Sequence, residues 1–180
     1  MRVITGEARG RRLKEPVGND IRPTTDKVKE SIFNIIQFDI EGRNVLDLFG
    51  GSGQLGIEAL SRGAKSCTFV DASQAAVRLI KENVSTVGFD DRARIVRGDS
   101  ISFLASGEKY GLIFMDPPYG TDLIEKALEN VIKFDILKEN GIIVCESKLD
   151  KQFAVVEPYF ISKEYKYGKI KLSVISRRAD

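Results

Sequence analysis

Short apolar runs alternate with helix-like segments along most of the chain. From Asn44 onward, runs typical of buried strands are separated by stretches whose apolar residues recur every three or four positions. The pattern predicts strands at Val45–Phe49, Cys67–Asp71, Ala93–Arg97, Leu112–Asp116 and Gly141–Glu146. It predicts helices at Gln54–Arg62, Gln74–Val87, Ile101–Leu104 and Leu123–Lys133. Strands that alternate with helices imply right-handed crossovers and a mostly parallel sheet covered by helices on both faces.

The C-terminal part of the chain departs from this alternation. Val155–Tyr165 and Ile170–Ser176 are joined by a segment too short for a helix, so they are predicted to form an antiparallel hairpin at the sheet edge. This hairpin would bring the sheet to seven strands.

The N-terminal part also stands apart. Residues 1–21 contain glycines suited to tight turns and predict a small basic β-hairpin or arm. A helix is then predicted to begin near Thr24 or Thr25, either of which can cap it, and to run to about Phe38. We therefore expect an α/β fold with one main domain over residues 22–180.

Composition excludes several kinds of chemistry. The chain of 180 residues has no histidine, which removes Ser-His and Cys-His nucleophiles, histidine acid–base catalysis and the commonest zinc ligand. Cys67 and Cys145 lie in apolar runs without metal-ligand spacing, so we expect neither a disulfide nor a metal site. No apolar run approaches the ~20 residues that span a bilayer, and the charged N-terminus does not resemble a signal peptide. The sequence predicts a cytoplasmic protein.

Charge is unevenly distributed, although the net charge is only +2. Residues 1–14 contain five basic residues against one acidic residue, and residues 161–180 contain six against two. Basic ends on an otherwise acidic chain favour a nucleic acid partner, but charge clusters are more often only solvated surface.

One apolar run ends in a rigid acidic platform. Leu112–Asp116 is followed by Pro117, Pro118 and Tyr119. Because proline fixes φ and has no N–H, the backbone must leave the sheet along a fixed path. The Asp116 carboxylate and the Pro117 carbonyl then form an acceptor pair beside the Tyr119 ring, which suits a planar base that carries an amino group. The simpler interpretation is a strand end, a turn and a surface tyrosine.

A glycine-rich turn follows the first predicted strand. Gly51, Gly53 and Gly56 satisfy the pattern G-x-G-x-x-G, and Asp71 lies 20 residues after Gly51, where a ribose hydroxyl is normally held. This spacing fits NAD, and it also fits a tight turn without a ligand. Asp47, however, places a carboxylate just before the glycines, which disfavours a pyrophosphate and favours an ammonium group. S-adenosylmethionine therefore fits better than NAD.

Aspartates close four of the predicted strands. Asp99, followed by Ser100, ends the third strand and could accept a hydrogen bond from an adenine amino group or cap the next helix. Open α/β sheets bind ligands at the carboxyl ends of their strands. The carboxylates expected along this edge are those of Asp47, Asp71, Asp99 and Asp116. We expect a two-part site, with a donor half near the glycines and an acceptor half at Asp116–Tyr119.

Four segments carry a family resemblance. They are Gly6–Arg11, Arg22–Glu30, which begins Arg-Pro-Thr-Thr-Asp, Asp47–Ala64, and the Asp-Pro-Pro-Tyr motif Asp116–Tyr119. With them, the chain resembles the class I S-adenosylmethionine-dependent methyltransferases, and among these the bacterial small-subunit (16S) ribosomal RNA guanine-N2 methyltransferases. Asp-Pro-Pro-Tyr is shared with adenine-N6 and cytosine-N4 DNA methyltransferases, whereas Arg-Pro-Thr-Thr-Asp and the short chain favour the ribosomal RNA family. Gly50 departs from the family pattern, in which alanine is more common.

The resemblance implies a Rossmann-like class I methyltransferase fold with S-adenosylmethionine as the cofactor and no metal. The cofactor-binding residues that it implies are Asp47, Gly51 and Gly53 at the methionine end, Asp71 at the ribose, Asp99 and Ser100 at the adenine, and Arg22 and Thr24 closing over the cofactor. Asp116 and Pro117 would accept the amine protons of the guanine, and Tyr119 would stack on its ring.

The resemblance also implies partners. These are small-subunit ribosomal RNA or a 30S assembly particle, with the chain acting as a monomer. The residues expected to contact RNA phosphates are Arg9, Arg11, Arg12 and Lys14. Three alternatives stay open: an adenine-N6 or other amino methyltransferase acting on DNA or another RNA, a nicotinamide-dependent oxidoreductase, and a non-catalytic RNA-binding protein that keeps the fold.

Overall fold

A seven-stranded sheet flanked by helices forms the centre of the computed structural model, which describes residues 1–18 and 24–179. The strands are β1 Asn44–Asp47, β2 Ser66–Asp71, β3 Ala93–Arg97, β4 Tyr110–Met115, β5 Leu137–Lys148, β6 Tyr159–Tyr167 and β7 Ile170–Arg177. The helices are α1 Asp26–Ile35, α2 Gln54–Ser61, α3 Gln74–Val87, α4 Ser100–Phe103 and α5 Leu123–Lys133. Short 3-10 helices span Asp90–Arg92 and Leu104–Ser106. The prediction of an α/β fold with a seven-stranded sheet is confirmed.

The strand order places a crevice in the middle of the sheet. The order is β3-β2-β1-β4-β5-β7-β6, and the pairs from β3 across to β5 are parallel. The C-terminal hairpin adds antiparallel pairs, with β7 inserted beside β5 and β6 at the edge. The chain order reverses between β1 and β4. Open α/β sheets bind their ligands at such a point, beyond the carboxyl ends of the strands.

Alternate residues of the central strands fill two separate hydrophobic cores. Val45 and Phe114 pack in a core with apolar residues of α1, α2 and α3, whereas Leu46 and Ile113 pack in a second core with α4 and α5. Both faces of these strands are therefore buried. This explains why the strands appear in the sequence as nearly continuous apolar runs instead of alternating ones.

The first helix begins as predicted but ends earlier. The Thr25 hydroxyl caps α1 by accepting a hydrogen bond from the Val28 N–H at 3.3 Å. The helix ends at Ile35, not near Phe38, because the chain turns to bury Ile36 while Phe38 is left 92% exposed. Within residues 1–18 and 24–179, no helix has both the length and the apolar character needed to cross a membrane.

Residues 1–18 form a hairpin-like arm whose apolar side chains belong to the first core. A single antiparallel bridge joins Arg2 to Arg12. Val3 donates its N–H to the Arg11 carbonyl at 2.9 Å, and the side chains of Val3 and Leu13 are buried with those of α1 and α2. The arm is therefore packed into the fold and does not extend freely from it.

The second helix holds this arm in place. The carboxylate of Glu58 in α2 accepts hydrogen bonds from the backbone N–H groups of Ile4 and Thr5, at 2.9 and 3.0 Å. Gly6 approaches the helix so closely that a Cβ atom there would lie 1.9 Å from the Ser61 carbonyl oxygen, and its φ of 93° also favours glycine. The glycine that begins the first family segment is thus a site of close backbone contact.

Candidate active site

A cleft of about 590 Å³ opens at the carboxyl ends of the parallel strands. The predicted site residues that line it are Thr24, Gly51, Asp71, Asp99, Ser100, Asp116, Pro117 and Tyr119. They come together because β1 to β4 run in the same direction and end at one edge of the sheet. Arg22 lies outside the residues that the structure describes.

The three glycines of the G-x-G-x-x-G pattern differ in what they do. Gly51 and Gly53 have φ values of 57° and 81°, in the left-handed region that favours glycine. A Cβ atom on Gly51 would meet only the Phe49 carbonyl oxygen, at 3.9 Å, so the turn leaves open space beside it for a ligand. Gly56, by contrast, lets α2 pack directly on β2, because a Cβ atom there would lie 2.3 Å from the Phe69 ring.

Asp71 joins the end of β2 to the glycine turn. Its Oδ2 accepts a hydrogen bond from the Gly51 N–H at 3.0 Å, and its Oδ1 accepts one from the Ser73 N–H at 2.9 Å. These bonds hold the carboxylate at the wall of the cleft. A carboxylate oxygen can accept more than one hydrogen bond, so Asp71 can also accept from a ligand hydroxyl.

Asp99 and Ser100 form the wall contributed by the end of β3. Asp99 caps α4, and its Oδ1 accepts a hydrogen bond from the Ser102 N–H at 2.7 Å. This backbone hydrogen bond lowers the pKa of Asp99 below its ordinary value, so the exposed carboxylate stays charged. Ser100 is buried and donates to the Leu48 carbonyl at 2.5 Å, which ties α4 to the end of β1.

Asp47 and Gly53 lie behind the surface of the cleft, among the residues that support it. Asp47 is 3% exposed, and its Oδ2 accepts a hydrogen bond from the Gly56 N–H at 3.1 Å. Burial raises the pKa of Asp47 to about 7, and the nearby charge of Asp71 acts in the same direction. Gly53 is the N-cap residue of α2. Both residues therefore shape the turn from beneath.

The Asp116 platform is held by side chains from distant elements. The Thr24 hydroxyl, just before α1, donates to Asp116 Oδ2 at 3.1 Å across 92 positions of sequence. The Tyr119 hydroxyl donates to Glu146 Oε1 in β5 at 2.8 Å. Pro117 is buried between these contacts, while the Tyr119 ring is half-buried at the wall of the cleft. The Asp116 carboxylate and the Tyr119 side chain are thus both held at the wall of the same cleft.

Sequence reasoning missed several residues of the cleft. The most informative is Glu146, which is 6% exposed and lines the cleft wall. It closes the fifth predicted strand, so the signal that singled out the four aspartates was present here as well. The other missed lining residues are Thr25, Phe49, Ala72, Ser73, Ala76, Ile101, Pro118, Leu123 and Ile170. Several of them are apolar and carry no chemical signal in the sequence.

The electrostatic character of the cleft follows from its lining. Its side chains include four carboxylates, those of Asp71, Asp99, Asp116 and Glu146, and no lysine or arginine among the lining residues within 1–18 and 24–179. A pyrophosphate would therefore meet like charge without a compensating cation, whereas a sulfonium or ammonium group would be attracted. Apolar side chains beside these carboxylates offer contact surface for a planar ring. The donor set fits S-adenosylmethionine.

The basic residues of the arm differ in their surroundings. Arg11 donates to the Thr86 carbonyl, and Lys14 pairs with Glu82 at 2.7 Å, so both side chains lie against α3. Arg9 and Arg12 are also exposed, but within residues 1–18 and 24–179 their side chains form no hydrogen bond or ion pair with α3.

Comparisons with known proteins show the family of the chain. The family described as "Conserved hypothetical protein 95" matches residues 1–176. The chain belongs to this family. The protein YlbH of Bacillus subtilis (strain 168) is 39% identical over 183 residues, which cover 99% of this chain and 100% of that protein. Ribosomal RNA small subunit methyltransferase D of Haemophilus influenzae is 34% identical over 172 residues, covering 93% of this chain and 89% of the relative.

A solved structure extends the likeness to three dimensions. The structure of the protein yhhF of Escherichia coli superposes with a TM-score of 0.89 at 32% identity, and the match covers 100% of this chain and 99% of that one. The family membership and the Rossmann-like class I methyltransferase fold that the motifs implied are both confirmed.

Proposed function

We propose that the protein is an S-adenosylmethionine-dependent methyltransferase that acts on the exocyclic N2 amine of a guanine in small-subunit ribosomal RNA. The observation that carries this proposal is the two-part cleft, in which an acidic glycine turn faces an Asp-Pro-Pro-Tyr platform on the same sheet edge. The relatives named ribosomal RNA small subunit methyltransferase D support ribosomal RNA as the substrate.

The donor half has the chemistry to bind the cofactor. Asp71, Asp99 and Ser100 line the cleft. In the proposed complex Asp71 accepts from the ribose hydroxyls, and Asp99 and Ser100 hold the adenine. Gly51 leaves room for the methionine part, with Gly53 and Asp47 supporting the turn from beneath. When bound, S-adenosylmethionine supplies an electrophilic methyl group on its sulfonium.

The acceptor half solves a problem of orientation. The guanine N2 lone pair is delocalised into the ring, so the amine must be turned as well as brought close. The Asp116 carboxylate and the Pro117 carbonyl accept the two amine protons and direct the nitrogen lone pair at the methyl carbon, while Tyr119 stacks on the base. Thr24 fixes the Asp116 carboxylate through its 3.1 Å hydrogen bond.

The transfer balances without a histidine or a metal. A nitrogen–carbon bond forms at N2 as the carbon–sulfur bond breaks, and the amine, cationic once methylated, releases one proton. The products are N2-methylguanine and S-adenosylhomocysteine. To reach the cleft, the guanine must be flipped out of a helix or lie in a loop, which suits structured RNA with exposed bases.

Two measurements test the identity of the cofactor and of the methylated base. Titration calorimetry should show binding of S-adenosylmethionine and none of NADH. Incubation with methyl-labelled cofactor and small-subunit RNA or 30S particles, followed by mass spectrometry of nucleosides, should place the label in N2-methylguanosine. Label in N6-methyladenosine would instead favour the adenine methyltransferase, and NADH binding without S-adenosylmethionine binding would favour the oxidoreductase.

The arm supplies a test of RNA binding. Because Arg9 and Arg12 are exposed and, unlike Arg11 and Lys14, form no hydrogen bond or ion pair with α3 in the described part of the chain, they are the arm residues best placed to neutralise phosphates. Replacing both with alanine should lower the slope of log affinity against log salt by about 1 per lost phosphate contact. As a control, alanine is placed at Lys133 and Lys138, which are exposed beside the second core, and the slope should not change. Equal slopes for the two double variants would exclude Arg9 and Arg12 as phosphate contacts.

A further inference from the structure

Glu146 lies where two cavities meet. It lines the large cleft, and it also lines a smaller cavity of about 90 Å³ whose rim includes Lys148 and Lys151. Tyr119 lines the same two cavities, and its hydroxyl donates to Glu146 at 2.8 Å. The Tyr119–Glu146 pair is therefore a wall shared by the large cleft and the smaller cavity. An acceptor base stacked on Tyr119 would have one edge beside this wall.

We propose that Glu146 selects guanine by accepting a hydrogen bond from its N1–H, and that it positions the Tyr119 ring on which the base stacks. This inference rests on the proposed function. It assigns Glu146 a role in choosing the base, whereas Asp116 orients the amine that is methylated.

The chemistry of the two purines explains the selection. Guanine presents two neighbouring donors on its Watson–Crick edge, the N1–H and the N2 amine. Adenine presents one amine beside an N1 lone pair. Two carboxylates, Asp116 and Glu146, offer acceptors to both guanine donors, but one of them would face the adenine lone pair. A site built to accept from an N–H group rejects a base that lacks it, because its buried oxygen loses a partner.

The burial of Glu146 makes this discrimination strong. Its side chain is 6% exposed, so a mismatched lone pair could not be relieved by rotation of the carboxylate into solvent. The backbone that carries this side chain is also held, because β5 pairs Glu146 with Leu172 of β7. The contact with Tyr119 adds a second constraint from 27 residues away.

The test compares two RNA substrates whose target base carries the amine at position 2. One is a small-subunit RNA fragment with the guanosine that the wild-type protein modifies, and the other has 2-aminopurine at that position. In 2-aminopurine, N1 is an acceptor. The wild-type protein should prefer guanosine. Glu146→Gln, whose amide can donate to that N1, should narrow the ratio of the two kcat/KM values by roughly 10- to 100-fold.

Two further variants make the result decisive. Glu129→Gln, an equivalent change on the exposed side of α5, should keep the wild-type ratio. Tyr119→Phe keeps the ring but removes the donor to Glu146, so the ratio should narrow by less than in Glu146→Gln. Because the ratio compares two RNAs within one variant, the missing O6 of 2-aminopurine affects each variant equally.

The outcomes separate this inference from the proposed function. Suppose that Glu146→Gln keeps the wild-type ratio of kcat/KM for the guanosine and 2-aminopurine RNAs, with unchanged thermal unfolding and S-adenosylmethionine affinity. This result would overturn the role of Glu146 but would not affect the proposed function. If Glu146→Gln does not fold, a wild-type ratio in Tyr119→Phe would overturn the role of Glu146 instead. Failure of the wild-type protein to methylate guanosine in RNA or 30S particles would overturn the proposed function itself.

Discussion

The two halves of the cleft are held by different kinds of contact. In the donor half, backbone N–H groups bind the carboxylates: Asp71 accepts from Gly51 and Ser73, and Asp99 accepts from Ser102. Two of these contacts lie within three residues of the carboxylate that they hold. Backbone donors are present whatever the side chains are, so the shape of this half depends mainly on the local turn.

In the acceptor half, side chains from other elements do this work. Thr24 holds Asp116 across 92 residues of sequence, and Glu146 holds Tyr119 across 27. A single substitution can therefore change the acceptor half while the cofactor cradle stays intact. This difference predicts that variants of the two halves should fail in different ways.

The largest effect is expected at the acceptor carboxylate. Asp116→Ala should reduce kcat by roughly 10²–10⁴-fold, because the amine loses the acceptor that orients it. The affinity for S-adenosylmethionine should change little, since the donor half is held independently. Steady-state kinetics and titration calorimetry measure the two quantities, with Asp91→Ala on an exposed turn as the control. Turnover close to wild type would assign the chemistry to another carboxylate.

The next effect concerns the buried support of the donor half. The pKa of Asp47 in the folded protein is about 7, above its ordinary value of 3.8, so the folded state holds a proton that the unfolded chain releases. Its contribution therefore makes the free energy of unfolding fall as the pH rises from about 4 to about 7. Asparagine does not titrate, so Asp47→Asn lacks this contribution. When the pH rises from about 5 to about 8, the free energy of unfolding of Asp47→Asn, measured in urea, should fall by roughly 2–3 kcal/mol less than that of the wild-type protein. Parallel pH profiles of the two proteins would contradict this assignment.

The third prediction concerns Asp71, whose replacement should affect cofactor binding and not turnover, the opposite of Asp116→Ala. Asp71→Ala removes the acceptor of the Gly51 N–H and a carboxylate of the cleft wall, and it should weaken S-adenosylmethionine binding roughly 10- to 100-fold. At saturating cofactor, kcat should stay close to that of the wild-type protein. Calorimetry and kinetics should show that Asp71→Ala loses cofactor affinity but keeps its kcat, whereas Asp116→Ala loses kcat but keeps its cofactor affinity. If both variants lost affinity equally, the two halves would not be independent.

The smallest effect tests the long-range contact itself. Thr24→Val keeps the shape of the side chain but removes the donor to Asp116, so kcat should fall by about 10-fold, equivalent to about 1.4 kcal/mol. Thr24→Ser restores the hydroxyl and should recover most of the rate. A loss of S-adenosylmethionine affinity instead of turnover would place Thr24 with the donor half.

The contrast between the halves also explains which parts of the site could be predicted. Asp71, Asp99 and Asp116 were found because each closes an apolar run, and parallel strands bring such ends together. The Asp99 cap and the glycine turn depend on contacts between near neighbours, which sequence spacing captures. Glu146 carries the same strand-end signal, but its role depends on a partner elsewhere in the chain, Tyr119, which no local pattern indicates.

The arm shows the same limit. Its glycines predicted turns and its charge predicted a basic surface, but nothing in the local pattern indicated that Glu58 would bind it to α2. Nor did the sequence show that Arg11 and Lys14 make polar contacts with α3, whereas Arg9 and Arg12 make none within the described residues. These facts depend on which helix packs beside the arm.

The sequence by itself determined the strand and helix pattern, the parallel sheet, the family and the row of carboxylates at one edge. Each of these depends on periodicity, on short motifs or on contacts within a few residues. Only the tertiary structure decided that Asp47 lies buried beneath the turn, that Thr24 holds Asp116, and that Glu146 meets Tyr119. The physical reason is that hydrogen bonds between distant side chains exist only once the sheet has brought their strands and loops together.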